Sequence, residues 1–180
     1  MIGVLVSGSG SNLQALLDAG LPVVAVASSH EDVRALDRAE AAGVPARVFP
    51  LADPADRSGR DTAMADWLAG HGVTLVVCAG FMQLLGPAFL GRFPDRVLNV
   101  HPALLPAFPG AHAVEDALAA GVSVTGASVH LVDEGIDTGE VIRQEIVPVL
   151  PGDTAETLHR RIQVVEHRLL PAVVRELIAA

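Results

Sequence analysis

Three short segments of this 180-residue chain carry residues whose types and spacing suit chemistry. The first is Leu98-Asn99-Val100-His101-Pro102. Asn99 and His101 stand two apart at the end of an apolar run, so in a strand they share one face. An amide and an imidazole placed there can donate to a developing oxyanion, and the imidazole can move a proton near neutral pH. Two polar groups on that face are costly to bury without partners. The structural alternative is a hydrogen-bonded core histidine beside a turn asparagine. The second segment, Asp133-Glu134-Gly135-Ile136-Asp137-Thr138-Gly139, sets three acids and two glycines after a strand-like run. By itself it reads as an acidic hairpin loop. The third, Ser7-Gly8-Ser9-Gly10-Ser11-Asn12, follows an apolar run and opens a helical pattern. Its glycines permit close backbone approach, and the free N–H groups of a helix start suit a phosphate. The alternative is a tight turn capped by Ser or Asn. It is not a dinucleotide fingerprint, because Leu13 stands where a third glycine belongs, and it lacks the lysine of a Walker loop.

The elements that must position these segments alternate between short β-branched runs and longer amphipathic stretches. Strands are expected at Ile2–Val6, Val23–Ala27, Ala46–Phe49, Leu75–Cys78, Val97–Val100, Ser128–Val132 and Val141–Val147, the last two able to pair with each other. Helices are expected near Asn12–Ala19, Val33–Ala42, Asp61–Ala69, Ala113–Ala120 and Thr154–Ile178, with a kink or break at Pro171. This alternation predicts an α/β fold with a mostly parallel, twisted sheet and helices on both faces. Ligands in such sheets bind beyond the carboxyl ends of the strands. With no linker or repeat, one domain over 1–180 is expected.

Composition excludes more than it assigns. The net charge is −9, and all twelve basic residues are arginine. An acidic chain without a basic block is a poor partner for nucleic acid or a membrane surface. Lysine-dependent Schiff-base chemistry is excluded. No apolar run is long enough to span a bilayer, Met1 leads directly into an apolar run without a basic leader, and the lone Cys78 fits a reducing compartment. A cytoplasmic location is therefore expected. Metal-ligand spacings are missing, so no metal is expected. His30, His71, His159 and His167 read as turn or surface residues, whereas His112 and His130 fit either a structural or a functional role.

In order and spacing, the chain resembles the phosphoribosylglycinamide formyltransferase family. The resemblance rests on Ser7-Gly8-Ser9-Gly10-Ser11-Asn12-Leu13-Gln14-Ala15, Ala79-Gly80-Phe81-Met82, Leu98-Asn99-Val100-His101-Pro102 and Gly110. It continues through Ser128-Val129-His130, Asp137 and Gly139 to Gln163 and Glu166-His167. It implies a Rossmann-like fold with a phosphate- and nucleotide-binding N-terminal half and a folate-binding, catalytic C-terminal half. It also implies transfer of the formyl group of 10-formyltetrahydrofolate, a co-substrate, to the amine of 5-phosphoribosylglycinamide in purine synthesis, in a monomer or homodimer.

By the same resemblance Asn99, His101 and Asp137 are catalytic. Gly10, Ser11, Asn12, Gln163 and Glu166 bind the ribonucleotide. The folate meets Arg57 (with Arg60 as its rival), Met82, Gln83, Leu84, Leu85, Asn99, Asp133, Glu134, Gly135, Ile136 and Asp137. Asn99 and a protonated His101 would stabilise the formyl oxygen, Asp137 would favour the imidazolium, and His101 would protonate the leaving N10. The chain departs from the family at Gln83, where an arginine is usual, at Ala103 in place of serine, and at Ala107. The Leu105-Pro106 bond is cis in relatives.

Formyltetrahydrofolate deformylase would use the same three residues with water as acceptor, but usually carries an additional N-terminal domain. Methionyl-tRNA formyltransferase would need an RNA-binding domain. A non-catalytic Rossmann-like nucleotide-binding module is the alternative from a different class.

Overall fold

The computed structural model describes residues 1–179, apart from the Pro54 side chain. The strands are β1 (Ile2–Val6), β2 (Val23–Ser28), β3 (Ala46–Val48), β4 (Leu75–Cys78), β5 (Val97–His101), β6 (Val124–Leu131) and β7 (Val141–Pro148). The helices are α1 (Ser11–Asp18), α2 (Arg34–Ala41), α3 (Arg57–Gly70), α4 (Pro87–Leu90), α5 (Ala113–Ala119) and α6 (Ala155–Ala179). The strand order is β3-β2-β1-β4-β5-β6-β7, a mostly parallel mixed sheet. The chain divides within β5 into two compact units, Met1–Leu98 and Asn99–Ala180.

In the first unit β1 pairs in parallel with both β2 and β4, with Val4 opposite Val26 and Val77. Every residue of β1 and of β4 is buried, as expected for strands enclosed on both faces. Helix α3 begins a full turn earlier than its apolar period indicates, at Arg57 rather than Asp61. Gly59 is a poor helix former, but Thr62 Oγ1 donates to the Ser58 carbonyl at 2.9 Å and anchors this first turn.

In the second unit β6 and β7 form an antiparallel ladder from Val124–Pro148 to His130–Val141. The ladder starts four residues before the expected strand at Ser128, because pairing with β7 overrides the weak strand preference of Gly126 and Ala127. Helix α6 packs on both strands, burying Leu158, Ile162, Leu169, Leu170 and Val174. Asp153 organises its start, accepting from Leu150 N–H at 2.7 Å and pairing with Arg161 at 2.8 Å. The expected break at Pro171 does not occur: α6 continues through it to Ala179. A proline removes one bond of the helical ladder, and burial of Pro171 among the apolar residues of this face offsets that loss.

Candidate active site

The last residues of β5 carry two polar side chains in an otherwise apolar strand. Val97, Leu98 and Val100 are buried, which fixes the alternation and sets Asn99 and His101 on one face. The loop after β6 returns a carboxylate to that face. Asp137 occupies the left-handed region with φ 53°, a conformation that aspartate and asparagine tolerate better than most residues. Gly139 permits this return, because a Cβ there would lie 1.8 Å from the Leu131 carbonyl oxygen.

Asp137 is the hub of the cluster. Its Oδ2 accepts from the Gly110 N–H at 2.8 Å and lies 3.3 Å from His101 Nδ1. Its Oδ1 accepts from Asn99 Nδ2 at 3.3 Å and lies 3.4 Å from His130 Nε2. The other nitrogen of His101, Nε2, donates to the Phe108 carbonyl at 2.7 Å. His101 therefore lies between two acceptors. A neutral ring satisfies one of them, and only the imidazolium donates to both.

Burial pushes the Asp137 carboxyl up, but the hydrogen bond from His130, the Gly110 amide and the charges of His101 and His130 outweigh it, leaving it lowered to about 2. Because the folded value lies below the ordinary one, the resulting stability is present above about pH 4 and is lost as pH falls through about 2. Wild-type protein is expected to exceed Asp137→Asn by roughly 2 kcal/mol between pH 5 and 7, with the gap closing toward pH 2. Urea denaturation of both proteins across that range checks this. A gap that widens on acidification would contradict it.

His130, which the sequence leaves open between a structural and a functional role, belongs to this cluster. It is buried at the end of β6, where a bulge between Val129 and His130 re-aims the strand. Its Nδ1 donates to the Leu131 carbonyl at 2.7 Å, so Nε2 faces Asn99 Nδ2 at 3.1 Å. When neutral, His130 accepts from Asn99; when protonated, it donates to Asp137 instead. The signal in the sequence was the two-residue spacing of Ser128 and His130, which repeats the Asn99–His101 pattern in a second strand.

The remaining expected residues fall into separate groups. In the first unit, Gly10 caps α1 with φ 69°, and a Cβ there would meet Ala35 of α2 at 2.7 Å. That contact seats the turn so that Ser11 and Asn12 begin the helix, with no acidic side chain in its first turn to repel an anion. Met82 and Leu84 are 62% and 43% exposed, Gln83 is half-buried, and Leu85 is buried. Arg60 is buried, with Nε, Nη1 and Nη2 each bonded to a protein group. Arg57 is half-buried, and its Nε is shielded without a hydrogen-bond partner among the described residues.

In the second unit, Asp133, Glu134, Gly135 and Ile136 are exposed. Asp133 Oδ1 accepts from Gly135 N–H at 3.0 Å and from Thr138 Oγ1 at 2.7 Å, so this carboxylate shapes the loop that delivers Asp137. Gln163 is half-buried and Glu166 buried, one helical turn apart on α6. Among the described residues no group of three or more His, Cys, Asp and Glu side chains is arranged to hold a metal ion, and no helix is long and apolar enough to cross a membrane.

Comparison with known proteins agrees with this geometry. Residues 1–174 match the formyl transferase family. The phosphoribosylglycinamide formyltransferase of Mycobacterium tuberculosis is 55% identical over 179 residues, spanning 97% of this chain and 83% of that protein. The human trifunctional purine biosynthetic protein adenosine-3 is 42% identical over 180 residues, 97% of this chain but 18% of that protein. Among solved structures, glycinamide ribonucleotide transformylase 1 from Symbiobacterium toebii aligns with a TM-score of 0.94 at 48% identity, covering 97% of this chain and 85% of that one. The phosphoribosylglycinamide formyltransferase from Streptococcus pneumoniae TIGR4 aligns with a TM-score of 0.94 at 42% identity, covering 98% of each chain.

Proposed function

The chain belongs to the formyl transferase family, and from that premise we propose that it transfers the formyl group of 10-formyltetrahydrofolate to the amine of 5-phosphoribosylglycinamide in purine biosynthesis. The carrying observation is the shared Asp137 carboxylate, which gathers Asn99, His101 and His130 in one part-buried cluster. Such a set has little structural purpose as built, since two imidazoles and an amide compete for one carboxylate.

The reaction forms a C–N bond from the neutral amine to the formyl carbon and breaks the bond from that carbon to N10 of the folate. Negative charge develops on the formyl oxygen in between. The imidazolium of His101, held between the Phe108 carbonyl and Asp137, supplies a fixed positive charge toward it. Asn99 spends both amide hydrogens in the free enzyme, on His130 and Asp137. Its 3.3 Å bond to Asp137 is the longer, and exchanging it for the formyl oxygen gives the transition state a donor that the free enzyme holds in reserve. Loss of a proton from the attacking amine, through water beside Asp137, balances protonation of N10 by His101. The Nδ1 contact of His101, 3.3 Å against 2.7 Å at Nε2, is the one that opens.

The other residues bind. The amides of Gly10, Ser11 and Asn12 take the phosphate, and Gln163 and Glu166 hold the rest of the ribonucleotide. In the first unit Met82 and Leu84 offer exposed apolar surface to the flat pteridine, on a loop that also carries Gln83 and the buried Leu85; in the second, Ile136 is an exposed apolar residue of the folate-binding loop. Asp133, Glu134 and Gly135 carry the loop around it. Arg57, rather than Arg60, contacts the folate, since Arg60 is buried with its guanidinium turned to Asp61, Gln83 and the Leu84 carbonyl. The protein acts on small molecules in the cytoplasm, as a monomer or homodimer.

A coupled assay with 10-formyltetrahydrofolate tests the reading by offering 5-phosphoribosylglycinamide, water and methionyl-tRNA in turn. Folate release only with the ribonucleotide is the expected result. Release with water alone would make the chain a deformylase.

A further inference from the structure

Met82 and Leu84 raise a physical question that the catalytic cluster does not. They are exposed apolar side chains on a loop, yet polar contacts hold that loop along its length. Ser7 Oγ accepts from Met82 N–H at 2.9 Å and is itself bonded to the buried Ser29 Oγ at 2.6 Å. Arg60 reaches from α3 to the same segment. Its Nη1 donates to Gln83 Oε1, its Nη2 donates to the Leu84 carbonyl at 3.0 Å, and its guanidinium carbon lies 5.8 Å from the centre of the Phe81 ring. Its Nε donates to Asp61 Oδ1 at 2.8 Å, and Asp61 Oδ2 accepts from Gly86 N–H at 2.7 Å. Both Arg60 and Asp61 are buried, with side chains 4% and 0% exposed.

A buried ion pair is a weak source of stability, because desolvating two charges costs about as much as their attraction returns. What this pair does instead is hold Phe81, Gln83, Leu84 and Gly86 from one side, while Ser7 holds Met82. An unbraced loop would lose roughly 1–2 kcal/mol of conformational freedom per residue on binding a ligand. A braced one has met that cost on folding, so the apolar surface of Met82 and Leu84 is preorganised.

We propose that Arg60 is a positioning residue for the folate: with Asp61 it clamps the Phe81–Gly86 loop in the conformation that presents Met82 and Leu84 to the pteridine ring. This rests on the reading of that loop as folate-binding. Arg60 touches no reacting atom, and its effect falls on folate affinity alone.

The test compares wild type with Arg60→Met and with Arg60→Met/Asp61→Asn. The double variant removes both charges and retains an oxygen for the Gly86 N–H, which guards against misfolding from an unpaired buried carboxylate. Steady-state kinetics are combined with amide hydrogen exchange at Met82 and Gly86. The expected result is an approximately tenfold rise in KM for 10-formyltetrahydrofolate, with kcat and the ribonucleotide KM within twofold. Exchange at both amides should accelerate at least tenfold while Val4 to Val6 of β1 stay protected. A role confined to stability would leave the folate KM unmoved at temperatures where the variants are folded. Unchanged exchange at Met82 and Gly86 overturns the clamp itself. Faster exchange with an unchanged folate KM overturns the assignment of the loop to the folate, and with it the proposed role of Arg60.

Discussion

His101→Ala is expected to lower kcat about a thousandfold while KM for 10-formyltetrahydrofolate stays within about threefold. The reasoning starts from the two acceptors that flank the ring, the Phe108 carbonyl and the Asp137 carboxylate. Neither is a substrate group, so the ring's place is set before substrate arrives. Its charge matters only when the formyl oxygen becomes negative and N10 must leave. An interaction made only in the transition state lowers kcat without weakening ground-state binding. His101→Gln separates charge from hydrogen bonding, because an amide can still donate to Phe108 but carries no positive charge. Its kcat should fall as far as that of the alanine variant. Recovery to within tenfold of wild type would show that holding Phe108 in place, not charge, is the contribution of His101. Near wild-type turnover in both variants would remove the residue from the mechanism.

How much of this site the sequence disclosed follows from the range over which each signal acts. The alternation in β5 is local, so Asn99 and His101 are visible as a polar pair in an apolar strand from five residues alone. The glycine-rich turn after β1 is equally local. Asp137 is not: within its own segment it is one acid among three. Its burial depends on a left-handed backbone, on Gly139 against the Leu131 carbonyl and on the Gly110 amide from a distant loop. Only the ordered resemblance to a family selected it from its neighbours. His130 differs again: its spacing from Ser128 is local and lies inside the expected strand Ser128–Val132, but it fits a structural histidine as well as a functional one until Asn99 and Asp137 from other segments meet it. Arg60 lies on a helix whose first turn the apolar period does not reveal, and nothing nearby predicts that it is buried. The strands and the mostly parallel sheet follow from pattern, whereas polar contacts that give the loops their shape join residues 24 and 38 positions apart.

Asp137→Asn is expected to reduce kcat about a thousandfold as well, by a different route. Asparagine is nearly isosteric and tolerates the left-handed region, so the φ of 53° is no obstacle. Its amide oxygen can still accept from the Gly110 N–H. What changes is the other side of the group: where the carboxylate offers only acceptors, the amide presents N–H donors. Gly110 and His101 Nδ1 meet the same oxygen, so the amide oxygen that keeps the Gly110 N–H also faces His101, but without a negative charge to favour a second ring proton. The imidazolium is then disfavoured, and the formyl oxygen loses its positive neighbour. The amide N–H takes the Oδ1 place, where it competes with Asn99 for His130 Nε2. In wild type the carboxyl, lowered to about 2, stays ionised throughout any practical assay, so it cannot produce an acid limb in kcat above about pH 4. An acid limb near neutrality therefore belongs to another group, such as the substrate amine, which attacks only when neutral, whereas loss of the His101 imidazolium gives an alkaline limb. In Asp137→Asn, that alkaline limb should move to lower pH along with the fall in kcat. A variant that loses turnover while keeping an unshifted pH profile would show that Asp137 handles the amine proton through water without setting the charge on His101.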